Sequence, residues 1–179
     1  MIINTSHLRK NYTIDSMSYL DNEESSILYR TSANIIKEHS LINIVDVGCR
    51  TGEINRYLSD YSYNYYGTDT SEEPILEAQK RYPSKTFEVR NWNDLKLYSC
   101  DVVIFGSVLI YSEEPIEMFE RICKFYNPSR AIVHEVNSDN VEDLRYTDLS
   151  YFNKYICDWY KFDLNIPVGK RTIIDVQYK

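Results

Sequence analysis

The segment Val45-Asp46-Val47-Gly48-Cys49-Arg50-Thr51-Gly52 constrains this chain more than any other. The apolar, β-branched run from Ile42 to Val47 reads as a short buried strand, and it leads straight into a loop with glycines at 48 and 52. Only five of the 179 residues are glycine, so two in one short loop mark backbone that must turn left-handed or approach another group closely. Ile54, Tyr57, Leu58 and Tyr61 then recur at helical spacing, predicting a helix that begins near Gly52. A strand, a glycine loop and a helix N-terminus in succession make a unit suited to holding a ligand against backbone.

The alternation continues along the chain. Residues 23–39 read as a helix with Ile27, Leu28, Thr31 and Ile35 on one face, and Tyr65 to Asp69 as a second strand. Thr70-Ser71-Glu72-Glu73 fits a capping box with Thr70 as N-cap, opening a helix to about Tyr82. Thr86–Val89, Asp101–Phe105 and Arg130–Val136 are the third, fourth and fifth strands. Between the last two, Ser112 is expected to cap a helix carrying Ile116, Phe119, Ile122, Cys123 and Tyr126, closed by Asn127-Pro128-Ser129. Leu149, Phe152, Ile156 and Trp159 predict a further helix near Asp148–Trp159. The end reads as a hairpin, Lys161–Ile166 and Thr172–Tyr178, around Pro167-Val168-Gly169-Lys170. This order indicates a single doubly wound α/β domain over residues 1–179, with a mostly parallel sheet of seven strands and a C-terminal antiparallel hairpin. Ligands in such sheets sit beyond the carboxyl ends of the strands, which directs attention to the loops after Val47, Thr68, Val89, Phe105 and Val136.

Composition narrows the partners. A net charge of −7 argues against a chain held mainly by nucleic-acid phosphates or an anionic membrane. The apolar-rich run Val102–Tyr111 is too short to span a bilayer, and Met1–His7 lacks the layout of a secretory signal, so a cytoplasmic location is expected. Cys49, Cys100, Cys123 and Cys157 are scattered, without metal-ligand spacing, and read as free buried thiols with no metal site. The tyrosine cluster Tyr61-Ser62-Tyr63-Asn64-Tyr65-Tyr66 reads as half-buried strand and helix positions.

Three loop chemistries compete for the glycine segment. A P-loop requires four residues between its glycines and then lysine; here three intervene and Glu53 follows, where an acid repels phosphate. A dinucleotide fingerprint requires G-x-G-x-x-G, and Gly48-Cys49-Arg50-Thr51-Gly52-Glu53 lacks the second and third glycines in place. The third pattern is an acid followed by alternate glycines. Asp46-Val47-Gly48-Cys49-Arg50-Thr51-Gly52 matches it except at Arg50, and in this the sequence resembles the class I, Rossmann-like S-adenosylmethionine-dependent methyltransferases from about Ile44 onward.

The resemblance stays in register downstream. Tyr66-Gly67-Thr68-Asp69 is similar to the family's second strand end, whose acid accepts hydrogen bonds from the ribose hydroxyls, a role carried to Asp69 with Thr70 beside it. Phe87-Glu88-Val89-Arg90-Asn91-Trp92 is similar to the third strand end, which implies that Asn91 accepts from the adenine amine and that Trp92 lies on the adenine face. Asp101 to Tyr111 resembles the fourth strand and the start of the acceptor side, with Gly106 at the turn. The resemblance thus implies S-adenosylmethionine as cofactor, held by Asp46, Gly48, Cys49, Arg50, Gly52, Asp69, Thr70, Asn91, Trp92 and Gly106. Arg50 allows three readings: a partner for the ligand carboxylate, an obstruction, or a position where backbone alone matters.

Methyl transfer is an in-line displacement that needs mainly proximity and alignment, and needs a base only for a hydroxyl or protonated amine. Tyr111 and His134 are the candidate catalytic residues, with Glu135 beside the latter; a structural, hydrogen-bonded histidine is the competing reading of His134. The expected activity is methyl transfer to an oxygen or nitrogen of a small-molecule or compact acceptor. The alternative is a catalytically inactive methyltransferase-like module that binds a partner protein. Residues 1–40 are expected to form a helical lid over the cofactor.

Overall fold

A computed structural model describes residues 26–136, 149–163 and 170–179. The expected lid before Ser26 and the Pro167–Gly169 turn lie outside the described residues. In chain order the elements are α1 (Ser26–Glu38), β1 (Asn43–Val47), α2 (Ile54–Tyr57), β2 (Asn64–Asp69), α3 (Glu72–Arg81), β3 (Thr86–Val89), β4 (Val102–Gly106) and a 3-10 turn (Leu109–Tyr111). There follow α4 (Pro115–Tyr126), β5 (Arg130–Val136), a 3-10 segment (Leu149–Lys154), β6 (Ile156–Asp163) and β7 (Lys170–Gln177).

The seven strands form one sheet in the order β3-β2-β1-β4-β5-β7-β6. The first five are mutually parallel, and β7 runs antiparallel to both β5 and β6. The order reverses between β1 and β4, which creates the crevice where open α/β sheets bind ligands. Each face buries its own core. On one, Ile44, Ile104, Ile132 and Ile173 meet Ile36 of α1, Ile54 of α2 and Ile75 of α3. On the other, Val45, Phe105, Val133 and Ile174 meet Phe119 and Ile122 of α4 and Phe152 of the 3-10 segment. Alternate residues of one strand thus serve opposite cores, as period two requires.

The helices follow the same logic. Met118, Phe119, Ile122 and Cys123 are the buried residues of α4, which starts with Pro115 and ends at Asn127 in a left-handed conformation, φ 48°. Tyr65 and Tyr66 are core residues at 1% exposure each, in keeping with the structural reading of the tyrosine cluster.

Four local expectations need correction. The capping residue of α3 is Ser71, one position beyond Thr70, and it makes no side-chain cap bond; the Asp69 carboxylate accepts the Ser71 amide instead, at 2.9 Å. Ser112 does not cap α4, whose N-cap is Glu114; the Ser112 hydroxyl accepts the Glu114 amide at 3.2 Å in the turn before it. The helix after the glycine loop is a single turn, Ile54–Tyr57, although both Ile54 and Leu58 are buried. The helix expected over Asp148–Trp159 is a 3-10 segment followed by edge strand β6. Phe152 is fully buried, but Ile156, one turn further on the supposed apolar face, is 73% exposed. Pairing of Ile156 through Asp163 with β7 overrides the coincidental helical spacing.

Candidate active site

The glycine loop leaves β1 at the carboxyl edge of the sheet. Gly48 and Gly52 both adopt φ +72°, and Arg50 between them takes φ 52°. Arg50 therefore keeps the left-handed backbone that its place in the pattern demands, at a cost of about 1–2 kcal/mol for a residue with a side chain. The Gly48 and Cys49 amides both donate to the Thr68 carbonyl, at 2.8 and 2.9 Å, which ties the loop to the end of β2. Space is tight where glycine stands. A Cβ on Gly48 would come within 2.8 Å of the Val108 Cβ, and one on Gly52 within 2.7 Å of the Phe87 ring. The β1 and β4 ends are also adjacent, with the Gly48 carbonyl 3.6 Å from where a Gly106 Cβ would lie.

Two acids stand behind this loop. Asp46 is buried on β1 and accepts the Tyr65 hydroxyl at 2.7 Å. Burial, with a smaller contribution from Asp69, pushes its pKa up to about 7. Asp69 ends β2 and is half-buried; one carboxylate oxygen accepts the Arg50 amide at 3.1 Å and the other the Ser71 amide at 2.9 Å. Burial raises its pKa, and those amide hydrogen bonds pull it back towards the ionised form. A carboxylate has about four lone-pair sites, so each oxygen retains capacity for a ligand hydroxyl.

The remaining predicted residues divide into two groups. Gly48 and Gly106 come together where β1 and β4 end, whereas Gly52 packs against Phe87 of β3, the Arg50 amide meets Asp69 at the end of β2, and Asp46 meets Tyr65 of β2; Cys49 is buried, its sulfur 2.8 Å from a Cβ placed on Gly67. Thr70 is exposed beside them at the end of β2. Asn91 is exposed after β3, its side-chain oxygen engaged by the Asn93 amide at 3.0 Å in a local turn. Trp92 is half-buried against the α4-side core, with the Arg121 guanidinium 5.7 Å above its ring.

Tyr111 is 37% exposed on the 3-10 turn that leaves β4. His134 lies within the sheet at 4% exposure, its Nε2 2.6 Å from the Ser32 hydroxyl of α1 and its ring edge-on to Tyr29. Burial, then the nearby Arg171 charge, lowers its pKa to about 4, so it is neutral near pH 7. Sequence reading did not single out Ser32, which lies 102 residues from its partner. It also passed over Ser107, whose φ of 56° follows directly on Gly106, and Arg171, which is 95% buried. For Ser107 a signal existed, since an apolar strand ending in Gly106-Ser107 forecasts a tight turn.

Residues 45–129 match a family model described as a methyltransferase domain. That span is a little under half of the chain, and over it the chain is similar to methyltransferase domains. Solved structures of similar fold include the N-methyltransferase NodS from Bradyrhizobium japonicum WM9 in complex with S-adenosylhomocysteine, with a TM-score of 0.75 at 13% identity over 97% of this chain and 98% of that one. The magnesium protoporphyrin IX methyltransferase ChlM from Synechocystis PCC 6803, with S-adenosylmethionine bound, gives 0.69 at 16% identity over 97% and 96%. The plantazolicin methyltransferase BpumL in complex with S-adenosylhomocysteine gives 0.70 at 15% identity over 98% and 94%. At these identities the likeness establishes the methyltransferase fold. No curated protein sequence matches the chain. Among the described residues, no helix is long and apolar enough to cross a membrane, and no group of three His, Cys, Asp or Glu side chains is placed to hold a metal.

Proposed function

We propose that this methyltransferase holds S-adenosylmethionine in the β1–β4 crevice and passes its methyl group to an oxygen or nitrogen of a small-molecule or compact acceptor. The observation that carries the reading is the Asp69 carboxylate. It is fixed by two loop amides, and it follows a loop whose two left-handed glycines have no room for a side chain. A carboxylate so oriented suits the vicinal hydroxyls of a ribose, and the Asp46 carboxyl behind the glycine turn suits the ligand's ammonium. Size supports a compact acceptor: the proteins named for acting on magnesium protoporphyrin IX and plantazolicin are themselves almost wholly covered by this chain, at 96% and 94%.

When bound, S-adenosylmethionine would supply an electrophilic methyl group to the acceptor's lone pair, with the neutral thioether as leaving group and a proton released from the acceptor. This chain's contribution is chiefly proximity and alignment. His134, neutral, buried and bonded to Ser32, stabilises the packing of α1 on the sheet, while Tyr111, 37% exposed on the turn after β4, is the candidate to orient an acceptor. Solvent or substrate then takes the released proton.

Calorimetric titration separates the possibilities. Micromolar binding of S-adenosylmethionine and S-adenosylhomocysteine, without binding of NAD, is expected; binding of neither methionine ligand would sink the proposal. Asp69→Ala should weaken both by about 100-fold, the loss of two charge-assisted hydrogen bonds. An unchanged affinity in that variant refutes the ribose assignment. Cofactor binding without turnover on any acceptor points instead to a binding module that engages a partner protein.

A further inference from the structure

The antiparallel strands bring a buried cation to the ligand-bearing edge of the sheet. Arg171 lies near the start of β7, opposite Val136 of β5 and Phe162 of β6. It stands two residues beyond the rung that joins Gly106, His134 and Ile173, on the same edge as the loops leaving β1 and β4. Strand alternation with Ile173 puts it on the α1 face, where its charge contributes to keeping His134 neutral. Its side chain is only 5% exposed, and its Nε donor has no hydrogen-bond acceptor.

Two described anions, Asp175 and Glu135, lie on β7 and β5 near it. Asp175, on the same face of β7, pairs with Arg130 at 2.8 Å and lies 3.8 Å from His39. Glu135 alternates onto the opposite face, opposite Thr172. A guanidinium does not lose its proton in a protein, and a buried donor left without an acceptor is destabilising. Arginine is also the side chain whose planar donors match carboxylate and phosphate oxygens. β7 is two strands from β4, so at roughly 4.8 Å per strand Arg171 is about 10 Å along the sheet edge from the methyl-donor crevice. That is the reach of a small acceptor.

We propose that Arg171 receives an anionic oxygen group of the methyl acceptor, a carboxylate or a phosphate. The acceptor is then a small acid that presents its nucleophile to the β4 side and its anion to β7. This inference rests on the methyltransferase reading for the identity of the ligand, but not for the existence of the anion site.

The test titrates the full chain, with and without saturating S-adenosylhomocysteine, with benzoate, phenyl phosphate and uncharged benzyl alcohol. Saturable binding of one anion and none of the alcohol is expected, and the preferred anion distinguishes carboxylate from phosphate. Arg171→Met should weaken that binding by tenfold or more while leaving S-adenosylhomocysteine affinity unchanged, and Arg171→Lys should retain part of it. Because methionine removes a buried, incompletely paired charge, the ligand-free Arg171→Met protein should melt no lower than wild type. The proposal is overturned by absence of anion binding to wild type, by equal binding of the alcohol, by anion binding that survives Arg171→Met, or by a variant that melts markedly lower or fails to fold. Anion binding through Arg171 in a chain that binds no S-adenosylhomocysteine would keep the anion site and discard the methyltransferase reading.

Discussion

The two halves of the sheet build their parts of the site by different means. On the β1–β2 side the machinery is backbone: left-handed turns at residues 48, 50 and 52, paired amides on the Thr68 carbonyl, and a carboxylate held by two amides. On the β5–β7 side it is buried side chains brought together from distant segments, Ser32 with His134 and Arg171 near the latter. The first half has no room for a Cβ at Gly48, Gly52 or Gly67. The second is defined by charge and polarity, and its residues can change without altering the turn geometry. In the proposed function the former suits a fixed cofactor and the latter an acceptor that varies among enzymes of one fold.

The largest effect that can break this contrast is expected at Gly52. Gly52→Ala forces a Cβ within 2.7 Å of the Phe87 ring at φ +72°, combining overpacking with backbone strain for a loss of about 3 kcal/mol in stability. Gly106→Ala meets nothing closer than 3.6 Å and has no left-handed φ, so it should cost less than about 1 kcal/mol. Chemical denaturation of both variants checks this. Equal losses would mean that the β1 loop is no more constrained than the β4 turn.

The same difference explains what the sequence disclosed. Left-handed backbone leaves a local trace, because glycine is scarce in this chain and the strand before Gly48 is short and apolar; the loop, the Asp69 strand end and the α/β alternation were all legible. Arg50 hid its conformation, since nothing in one sequence says that an arginine occupies φ 52°. The Ser32–His134 bond spans 102 residues and has no local signature at all. β6 was misread because Leu149, Phe152, Ile156 and Trp159 mimic a helical face, and only the partner strand β7 decides the outcome.

Each half also buries a titratable group whose pKa burial shifts towards the uncharged form, Asp46 in one and His134 in the other, and their pH responses oppose. Asp46 has a folded pKa of about 7, above its unfolded value, so its contribution is present in acid and is lost as pH rises towards 7. His134 has a folded pKa of about 4, below its unfolded value, so its contribution is present above about pH 6.5 and is lost as pH falls towards 4. Across pH 4–6.5 each changes stability by about 3 kcal/mol, so over that window they largely offset one another. Asp46→Asn should remove one arm. Relative to wild type, that variant should lose about 3 kcal/mol more on acidification from pH 6.5 to 4, read from urea midpoints at both values. His134→Asn should shift the profile in the opposite direction. Parallel profiles for wild type and both variants would show that neither pKa shift contributes to stability.

The smallest effect sharpens the comparison most, because it falls where backbone and side chain meet. Arg50→Gly keeps the left-handed turn and removes its strain, which should stabilise the fold by about 1 kcal/mol, offset in part by the freer unfolded chain. The Arg50 side chain is 4% exposed, so the substitution also removes buried contacts, and thermal unfolding reads the balance. Cofactor titration reads its function separately. If the guanidinium holds the ligand carboxylate, S-adenosylmethionine affinity should fall about tenfold, the contribution of one charge-assisted hydrogen bond. If affinity is unchanged, the β1 half works through backbone alone, and the amide that Arg50 donates to Asp69 at 3.1 Å is the part of this residue that the cofactor requires.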